Sequence, residues 1–301
     1  MQRVVVTGAS GFIGSWLIPV LQQAGYEVHA ASRGPLKVQG AVEHHVDLLA
    51  EGSAAALFRD IRADFLVHVA WYAEHGKFWQ APENADWLRA SLSLIEAFFL
   101  ASGRRVLGVG TCAEYDWSQG HCTEYETRET PGNLYGLSKL AAGHCAQAIA
   151  QRYGASLAWA RLFFPYGPRE APKRLIPYAI TQLLQGEPAL CTNGLALRDF
   201  IHVEDVARAL VSVMEAEVTG PVNIASGESI SIASVLQEIG IAMERPDLIR
   251  LGAINESQPS APQVTACTNR LIQCGWTPRW QFKEGLHNTI DWWREARLEK
   301  M

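Results

Sequence analysis

The chain has 301 residues, of which 48% are hydrophobic and 19% are charged, and its formal net charge at pH 7 is −5. This composition predicts a globular protein with a sizeable core, in one large or two smaller domains. The negative net charge and the lack of a basic run exclude nucleic acid as an expected partner. No apolar run is long enough to cross a bilayer and the first predicted strand begins at Arg3, so we expect a cytoplasmic protein without membrane contact.

The six cysteines form neither a Cys-x-x-Cys pair nor a tight cluster with histidines. A zinc site and a disulfide framework are therefore not predicted, and no metal is expected. Most of the cysteines are interpreted as small buried hydrophobic residues. Cys112 is treated separately as a candidate substrate contact, because it directly follows a candidate catalytic residue.

A glycine-rich turn follows the first predicted strand. The strand, Arg3–Thr7, is a short run rich in β-branched residues, and residues 15–24 after the turn have helical spacing. Glycines let the backbone approach a phosphate, and free N–H groups at a helix N-terminus attract its charge. At the first strand–helix junction this turn predicts a dinucleotide site. The expected contact residues are Gly8, Ser10, Gly11, Phe12, Ile13 and Gly14.

The ends of the next two predicted strands supply the rest of the nucleotide site. The second strand ends at Ser32 and Arg33, where an NAD site usually carries an acidic residue for the ribose 2′-hydroxyl. Arg33 can instead bind a 2′-phosphate, so NADP is predicted over NAD, with a solvated loop arginine as the alternative. The third strand runs into Asp47 and Leu48, which are expected to hold the adenine.

An aromatic loop follows the fourth predicted strand, 65–70, whose last residues Val69 and Ala70 are expected to contact the cofactor. Ligands bind at the C-terminal ends of the strands in open parallel sheets. The aromatic residues are therefore predicted either to pack on a substrate ring, beginning with Trp71 and Tyr72, or to form a hydrophobic lid.

Three polar residues follow in an order that suits proton transfer. The fifth predicted strand, 104–110, delivers Thr111 to its C-terminal end, and helix 134–153 carries Tyr135 and Lys139 four residues apart on one face. A lysine charge near a tyrosine hydroxyl favours the phenolate, and a neighbouring threonine can hydrogen-bond the reacting oxygen. The three residues therefore predict a tuned proton donor beside the cofactor.

The glycine turn at 8–14, Thr111 after the fifth strand and Tyr135-x-x-x-Lys139 on the next helix together resemble an extended short-chain dehydrogenase/reductase. The likeness is to the nucleotide-sugar epimerase/dehydratase type and covers nearly the whole chain. It continues in the segments 161–168, 198–206 and 275–278.

The resemblance implies a role for each residue of the set. Tyr135 would be the general acid or base, Lys139 would hold the nicotinamide ribose and lower the pKa of the tyrosine, and Thr111 would hydrogen-bond the reacting oxygen. The substrate would be a nucleotide-diphosphate sugar. The resemblance also implies a homodimer joined through helices 84–101 and 134–153.

The resemblance extends to the substrate side. Arg198 would pair with the diphosphate of the sugar nucleotide, a use suited to the guanidinium fork. The alternative is an ion pair with Asp199 or Glu204. Phe163 is expected beside the cofactor, and Phe164 beside the substrate, at a position where the family often has asparagine.

The two residues after Thr111 depart from the family pattern. Hexose dehydratases of the family carry an Asp-Glu pair there, whereas this chain has Cys112 and Ala113. A 4,6-dehydratase is therefore not expected. Bifunctional epimerase-reductases place a cysteine two positions after the hydroxyl residue, where this chain has Ala113, so double epimerisation also loses its main support.

The predicted fold class is α/β, with a Rossmann-type doubly wound parallel sheet and a smaller, interleaved C-terminal substrate-binding lobe. The NAD(P)-binding domain is predicted at 1–167, with segments of 199–225 returning to it, and the lobe mainly at 168–301. Further predicted elements are helices at 174–185, 203–216, 232–243 and 282–298, a short helix closed by 60–64, and a loop at 259–262.

These observations predict an NAD(P)-dependent oxidoreductase that reduces a 4-keto-(6-deoxy)hexose on a nucleotide diphosphate, with Tyr135 as proton donor. The first alternative is a nucleotide-sugar 4-epimerase, which would use the same residues with a tightly bound NAD and no net redox change. The second is a non-catalytic NADP-sensing scaffold, which the complete set of Thr111, Tyr135 and Lys139 disfavours.

Overall fold

The structure is a computed structural model that describes residues 1–36, 39–59, 61–255 and 261–298. Short apolar runs form most strands of the central sheet; in the first of them, Val4, Val5 and Val6 are fully buried. The strands are β1 (Arg3–Thr7), β2 (Glu27–Ser32), β3 (Val42–His45), β4 (Phe65–His68), β5 (Arg105–Thr111), β6 (His121–Cys122), β7 (Ser156–Leu162), β8 (Phe164–Tyr166), β9 (Ala189–Leu190), β10 (Leu197–Arg198), β11 (Phe200–His202), β12 (Gly220–Ile224), β13 (Ile230–Ser231), β14 (Ile249–Arg250) and β15 (Gln263–Ala266).

Helices separate most of the long strands, so consecutive strands of the central sheet are parallel. The helices are α1 (Phe12–Gln23), α2 (Ser53–Arg59), α3 (Glu83–Leu100), α4 (Leu134–Arg152), α5 (Leu175–Gln185), α6 (Val203–Glu215), α7 (Ile232–Ala242), α8 (Asn269–Gln273) and α9 (Phe282–Leu298).

The central sheet has the strand order β12-β7-β5-β4-β1-β2-β3, and all of its paired strands are parallel. Apolar side chains of α1 and α6 pack on one face, and those of α2, α3 and α4 pack on the other. The order reverses between β1 and β4, which creates a crevice at their C-terminal ends. The predicted doubly wound Rossmann-type fold is therefore confirmed.

The C-terminal lobe has its own apolar cluster, formed mainly by α5, α7 and α9. A small sheet of order β13-β10-β15-β6 stands beside it. Its strand β6 comes from the N-terminal half of the chain, and β11 pairs with β8 next to the central sheet. The lobe is thus interleaved with the sheet, while the boundary at residue 167 stays a prediction.

Two glycines of the first turn are required by sterics. Gly8 has φ +68°, and a Cβ atom there would come within 2.8 Å of the Ala70 backbone nitrogen. A Cβ atom on Gly14 would overlap the Gly8 carbonyl oxygen, so helix α1 can pack against the turn only with glycine at this position. The close approach of α1 to β1 therefore depends on the absence of these side chains.

The element boundaries agree with the predictions to within a few residues. The largest difference is that α1 begins at Phe12, directly after its N-cap Gly11, and not at Ser15. The predicted end of a helix at 60–64 and the predicted loop at 259–262 fall partly on residues 60 and 259–260, which lie outside the described residues. None of the helices that the structure describes is both long and apolar enough to span a membrane.

A buried histidine connects β4 to α3. Thr7 Oγ1 lies 2.7 Å from His68 Nδ1, and His68 Nε2 lies 2.8 Å from Ser91 Oγ. The Ser91 hydroxyl donates to the Trp87 carbonyl at 2.7 Å, so His68 must donate through Nε2 and accept through Nδ1. Burial, with a smaller contribution from the charge of Lys139, lowers the pKa of His68 to about 3.

This histidine predicts a loss of stability in mild acid. Between pH 7 and 5.5 the unfolded chain protonates His68 and the folded chain does not, so the free energy of unfolding falls by about 1 kcal/mol through this group. In urea unfolding, the fall in the free energy of unfolding between pH 7 and 5.5 should be smaller for His68→Asn than for the wild type by about 1 kcal/mol. The exposed His287→Asn serves as control, and equal losses in all three proteins would contradict the assignment.

Candidate active site

A cavity of about 780 Å³ lies at the C-terminal ends of β1, β2, β4, β5 and β7. One wall is formed by the glycine turn and the strand ends, and the other by the C-terminal lobe. The fold thus brings most of the predicted cofactor, proton-transfer and substrate residues to one place. The lining candidates are Gly8, Ser10, Gly11, Phe12, Ile13, Ser32, Arg33, Leu48, Val69, Ala70, Trp71, Thr111, Cys112, Tyr135, Lys139, Phe163, Phe164 and Arg198.

Three candidate residues do not line this cavity. Gly14 supports the turn from beneath, as described above. Asp47 is exposed, and its carboxylate caps a local turn by accepting a hydrogen bond from the Leu49 backbone N–H at 3.1 Å. Tyr72 is half-buried outside the cavity wall, and its hydroxyl donates to the Glu74 carboxylate at 3.0 Å. These three residues make local structural contacts, and the ligand contacts expected of them stay predictions.

The glycine turn leaves backbone donors available at one end of the cavity. Gly11 is the N-cap of α1 and supplies no side-chain acceptor to the first N–H groups of the helix. No acidic side chain occupies the first turn of α1. These N–H groups and the positive end of the helix dipole fit the pyrophosphate of a dinucleotide.

The end of β2 forms the neighbouring wall. Ser32 Oγ donates to the Gly34 carbonyl at 2.6 Å, and Arg33 is exposed at the cavity edge. The apolar residues Val46 and Leu48 line the cavity close by and suit the face of an adenine ring. The residues present therefore fit the adenosine half of a nicotinamide dinucleotide.

Thr111 is fixed at the end of β5 by a reciprocal cap. Its Oγ1 accepts a hydrogen bond from the Ala113 N–H at 3.2 Å, while its own N–H donates to Glu114 Oε1 at 2.8 Å. A hydroxyl that accepts from the backbone keeps its proton for another partner. The Thr111 hydroxyl acts on Tyr135 in the direction that lowers the pKa of the phenol.

Tyr135 lies in the first turn of α4. Asn133 caps this helix by accepting from the Gly136 N–H at 2.8 Å, and the Tyr135 N–H donates to the Trp79 carbonyl at 3.0 Å. The phenol ring meets the rings of Phe78 and Trp79 edge to face, with centroids 4.9 and 5.8 Å away. The aromatic loop therefore closes over the predicted proton donor.

Burial dominates the acidity of this tyrosine. It raises the pKa of Tyr135 above its ordinary value, against the hydrogen bond from Thr111 and the positive charge of Arg174. We expected Lys139 to lower the pKa of Tyr135. The pKa of Tyr135 is raised instead, and the cation that opposes this rise is Arg174.

Lys139 is buried beside the same strand. Its Nζ donates to the Val109 carbonyl at 2.7 Å and lies 3.9 Å from the centroid of the Trp71 ring. Burial lowers the pKa of Lys139 to about 7, and the negative charge of Glu114 opposes this change. Lys139 therefore titrates close to neutral pH, far below an exposed lysine.

Cys112 and Ala113 occupy the turn between Thr111 and Glu114, and both are buried. Cys112 lines the cavity, but burial raises the pKa of its thiol, so it remains protonated and unreactive. Glu114 does not line the cavity; its Oε2 accepts from Arg161 Nε at 2.7 Å. No carboxylate on this turn therefore faces the cavity as an acid or base.

Arg198 enters the cavity wall from the lobe. Its Nη1 donates to the carbonyls of Leu197 and Ala261 at 2.7 and 2.9 Å, and its guanidinium carbon lies 5.5 Å from the Phe164 ring centroid. The acidic residues considered as alternative partners are bonded elsewhere. Asp199 accepts from Ser226 and Gly227, and Glu204 pairs with Arg279.

Several residues of the site were missed from the sequence. Arg174, at the N-cap of α5, lines the cavity and pairs with Glu170 at 3.3 Å. Burial raises the pKa of Glu170 to about 7. Their i,i+4 spacing was a visible signal, but it does not show that the pair faces a ligand. Trp117 also lines the cavity, and nothing in its local sequence indicates this.

Comparison with known proteins agrees with this geometry. Residues 4–225 match the family model described as "NAD dependent epimerase/dehydratase family". The chain belongs to this family. The resemblance to extended short-chain dehydrogenases/reductases and the prediction of an enzyme of this type are thereby confirmed.

Relatives with different activities resemble the chain over nearly its full length. It is 25% identical to the dTDP-glucose 4,6-dehydratase of Actinoplanes sp., over 98% of each chain. It is 24% identical to the CDP-abequose synthase of Salmonella typhimurium, over 96% of this chain and 97% of the relative. Membership in the family therefore does not by itself select one reaction.

Solved structures also match the chain over nearly its full length. MoeE5 in complex with UDP-glucuronic acid and NAD is 30% identical, with a TM-score of 0.86 over 98% of this chain and 100% of that chain. The Thermus thermophilus UDP-glucose 4-epimerase complex with NAD is 25% identical, with a TM-score of 0.86 over the same shares. Nicotinamide dinucleotides and sugar nucleotides are thus ligands of proteins with this fold.

The packing of α4 on the turn after Thr111 predicts that a side chain at position 136 destabilises the protein. A Cβ atom on Gly136 would overlap the Ala113 carbonyl oxygen, whereas a Cβ atom on Gly132 would have no neighbour within 4 Å. Gly136→Ala should therefore lower the free energy of unfolding by about 1–3 kcal/mol, and Gly132→Ala should leave it nearly unchanged. Urea unfolding measures both; equal effects would show that the close contact is not required.

Proposed function

We propose that this protein is an NAD(P)-dependent reductase of a keto group on a nucleotide-diphosphate sugar, most simply a 4-keto-6-deoxyhexose. The observation that carries the proposal is the convergence of Thr111, Tyr135 and Lys139 on a cavity where the turn after Thr111 presents no carboxylate. Elimination of water from a hexose would need an additional acid and base at that turn. Transfer of one hydride and one proton needs neither.

The protonation of Tyr135 suits the direction of reduction. Because burial raises its pKa, the phenol keeps its proton at neutral pH and can donate it to a carbonyl oxygen that becomes an alkoxide. Thr111 stabilises the same oxygen through its hydroxyl, and Lys139 holds the nicotinamide ribose. The bound dinucleotide supplies the hydride.

The aromatic loop and the lobe exclude water from the reacting group. Phe78 and Trp79 cover the Tyr135 ring, and Trp117 meets Trp79 edge to face with centroids 6.0 Å apart. A dry site strengthens each hydrogen bond to the developing alkoxide. Arg198 on the opposite wall would bind the diphosphate of the substrate.

Tyr135→Phe tests this function. The wild-type protein should oxidise NADPH or NADH with at least one nucleotide-linked 4-keto-6-deoxyhexose, and Tyr135→Phe should lower kcat/KM by about 10²–10⁴-fold because the proton donor is lost. Tyr125→Phe, which removes the hydroxyl of an exposed tyrosine outside the cavity lining, is the matched control. Undiminished turnover by Tyr135→Phe would show that another group donates the proton.

We also infer a preference for NADP over NAD. Support comes from the end of β2, where Ser32 and the exposed Arg33 stand in place of an acidic side chain. The 2′-phosphate of NADP would add a charge-assisted hydrogen bond to Arg33. The solved relatives named above bind NAD, so the preference rests on this chain's own residues.

Arg33→Ala provides the test of cofactor choice. It should raise the KM for NADPH about tenfold, since a charge-assisted hydrogen bond is lost, and leave the KM for NADH nearly unchanged. Arg59→Ala, an exposed arginine outside the cavity lining, is the control. Equal changes for both cofactors would argue for a solvated loop arginine.

A nucleotide-sugar 4-epimerase is the second candidate, favoured by the similarity to the Thermus thermophilus enzyme. Stoichiometric NAD that stays bound through purification, together with no net NADPH oxidation, would select it. Either function is compatible with the homodimer we propose through α3 and α4. The exposed Leu100 and Leu137 at the ends of these helices would be covered in that dimer.

A further inference from the structure

Glu114 is a fully buried carboxylate directly behind the proton-transfer residues. Its Oε1 accepts from the Thr111 N–H at 2.8 Å and from Trp159 Nε1 at 3.0 Å, and its Oε2 accepts from Arg161 Nε at 2.7 Å. A Cβ atom on Gly110 would overlap Oε1, so the backbone is shaped around this side chain. Glu114 is therefore held firmly in one orientation.

Lys139 reaches the same stretch of β5. Its Nζ donates to the Val109 carbonyl, while Glu114 accepts from the N–H of Thr111, and these two backbone groups are only one residue apart. Backbone groups of residues i and i+2 point to the same side of a strand. The ammonium and the carboxylate thus approach one strand end from the same side.

The guanidinium of Arg161 lies between two carboxylates behind the site. Arg161 bridges the two carboxylates of Glu114 and Glu129, with nitrogen–oxygen contacts at 2.7 and 2.6 Å. Glu129 is partly exposed and also lies 2.8 Å from His144 Nε2, whereas Glu114 is fully buried. The charge of Glu114 is therefore screened less by solvent than the charge of Glu129.

Among the described residues, the other groups that face Lys139 supply no competing charge. His68 on β4 is buried and neutral at pH 7, and Trp71 presents its ring face to the ammonium. Tyr135 on the same helix keeps its proton, and Glu114 on the turn after β5 opposes the effect of burial on the pKa of Lys139. Glu114 is thus the carboxylate whose charge acts on the lysine.

We propose that Glu114 is a positioning residue that stabilises the ammonium form of Lys139 against burial and fixes the Thr111 turn at the same time. For Lys139 this inference deepens the proposed function, because an ammonium donates hydrogen bonds to a ribose and favours the alkoxide formed in reduction. Glu114 itself touches neither substrate nor cofactor, since it does not line the cavity.

The test is a direct titration of Lys139. Protein labelled with ¹³C-lysine carries six lysines, and the Lys139→Arg variant assigns the ¹³Cε signal of Lys139. In Glu114→Gln the pKa of Lys139 should fall by about one pH unit relative to the wild type, because a charge of opposite sign is lost nearby. Glu129→Gln, the carboxylate on the far side of Arg161, should change it much less.

A second variant covers the case in which Glu114→Gln does not fold, since it leaves Arg161 buried without its partner. Glu114→Gln combined with Arg161→Met removes both charges, and a smaller fall of the Lys139 pKa is expected. Loosened packing would admit water and raise this pKa, so the sign separates the two effects. An unchanged or raised value in the variants that fold would overturn the proposal.

The titration requires neither substrate nor turnover. A failed search for a keto-sugar substrate would therefore count against the proposed reductase and leave the inference on Glu114 standing. If a substrate is found, retention of the wild-type kcat/KM pH profile by folded Glu114→Gln would count against the inference on Glu114 alone.

Discussion

The site depends on the contact between the N-terminus of α4 and the turn after β5. Gly136 packs directly on the Ala113 carbonyl, Thr111 caps the turn, and the Thr111 hydroxyl acts on the pKa of Tyr135. The buried Glu114–Arg161 ion pair lies beneath this contact and satisfies the backbone at its base. Such a pair contributes little net stability, but breaking it leaves a buried charge, so it restricts the turn to one conformation.

Much of the fold and of the site could be predicted because the deciding signals are local. The glycines at 8–14 mark a turn in which the backbone must pack closely. Each buried apolar run marks a strand, and the residues that follow the run mark the end of that strand. Because the ends of parallel strands meet at one edge, Thr111, Val69 and Ser32 converge whatever the details of packing. Spacing along a single helix then adds Tyr135 and Lys139.

The missed features depend on where side chains point after the chain has folded. Asp47 and Tyr72 stand at suitable places in the sequence, yet each makes a local hydrogen bond and neither lines the cavity. Glu114 and Arg161 are 47 positions apart and meet only because β5 and β7 are neighbours in the sheet. No local pattern predicts such a pair.

Burial changes the pKa values expected for Tyr135 and Lys139. A tyrosine and a lysine on one helix face indicate that the lysine makes the tyrosine more acidic, but desolvation acts on both groups and favours their neutral forms. Tyr135 therefore keeps its proton, while Lys139 needs a nearby carboxylate to remain charged. The charge that acts on the lysine comes from Glu114, three residues after Thr111, and this couples the shape of that turn to the protonation of the site.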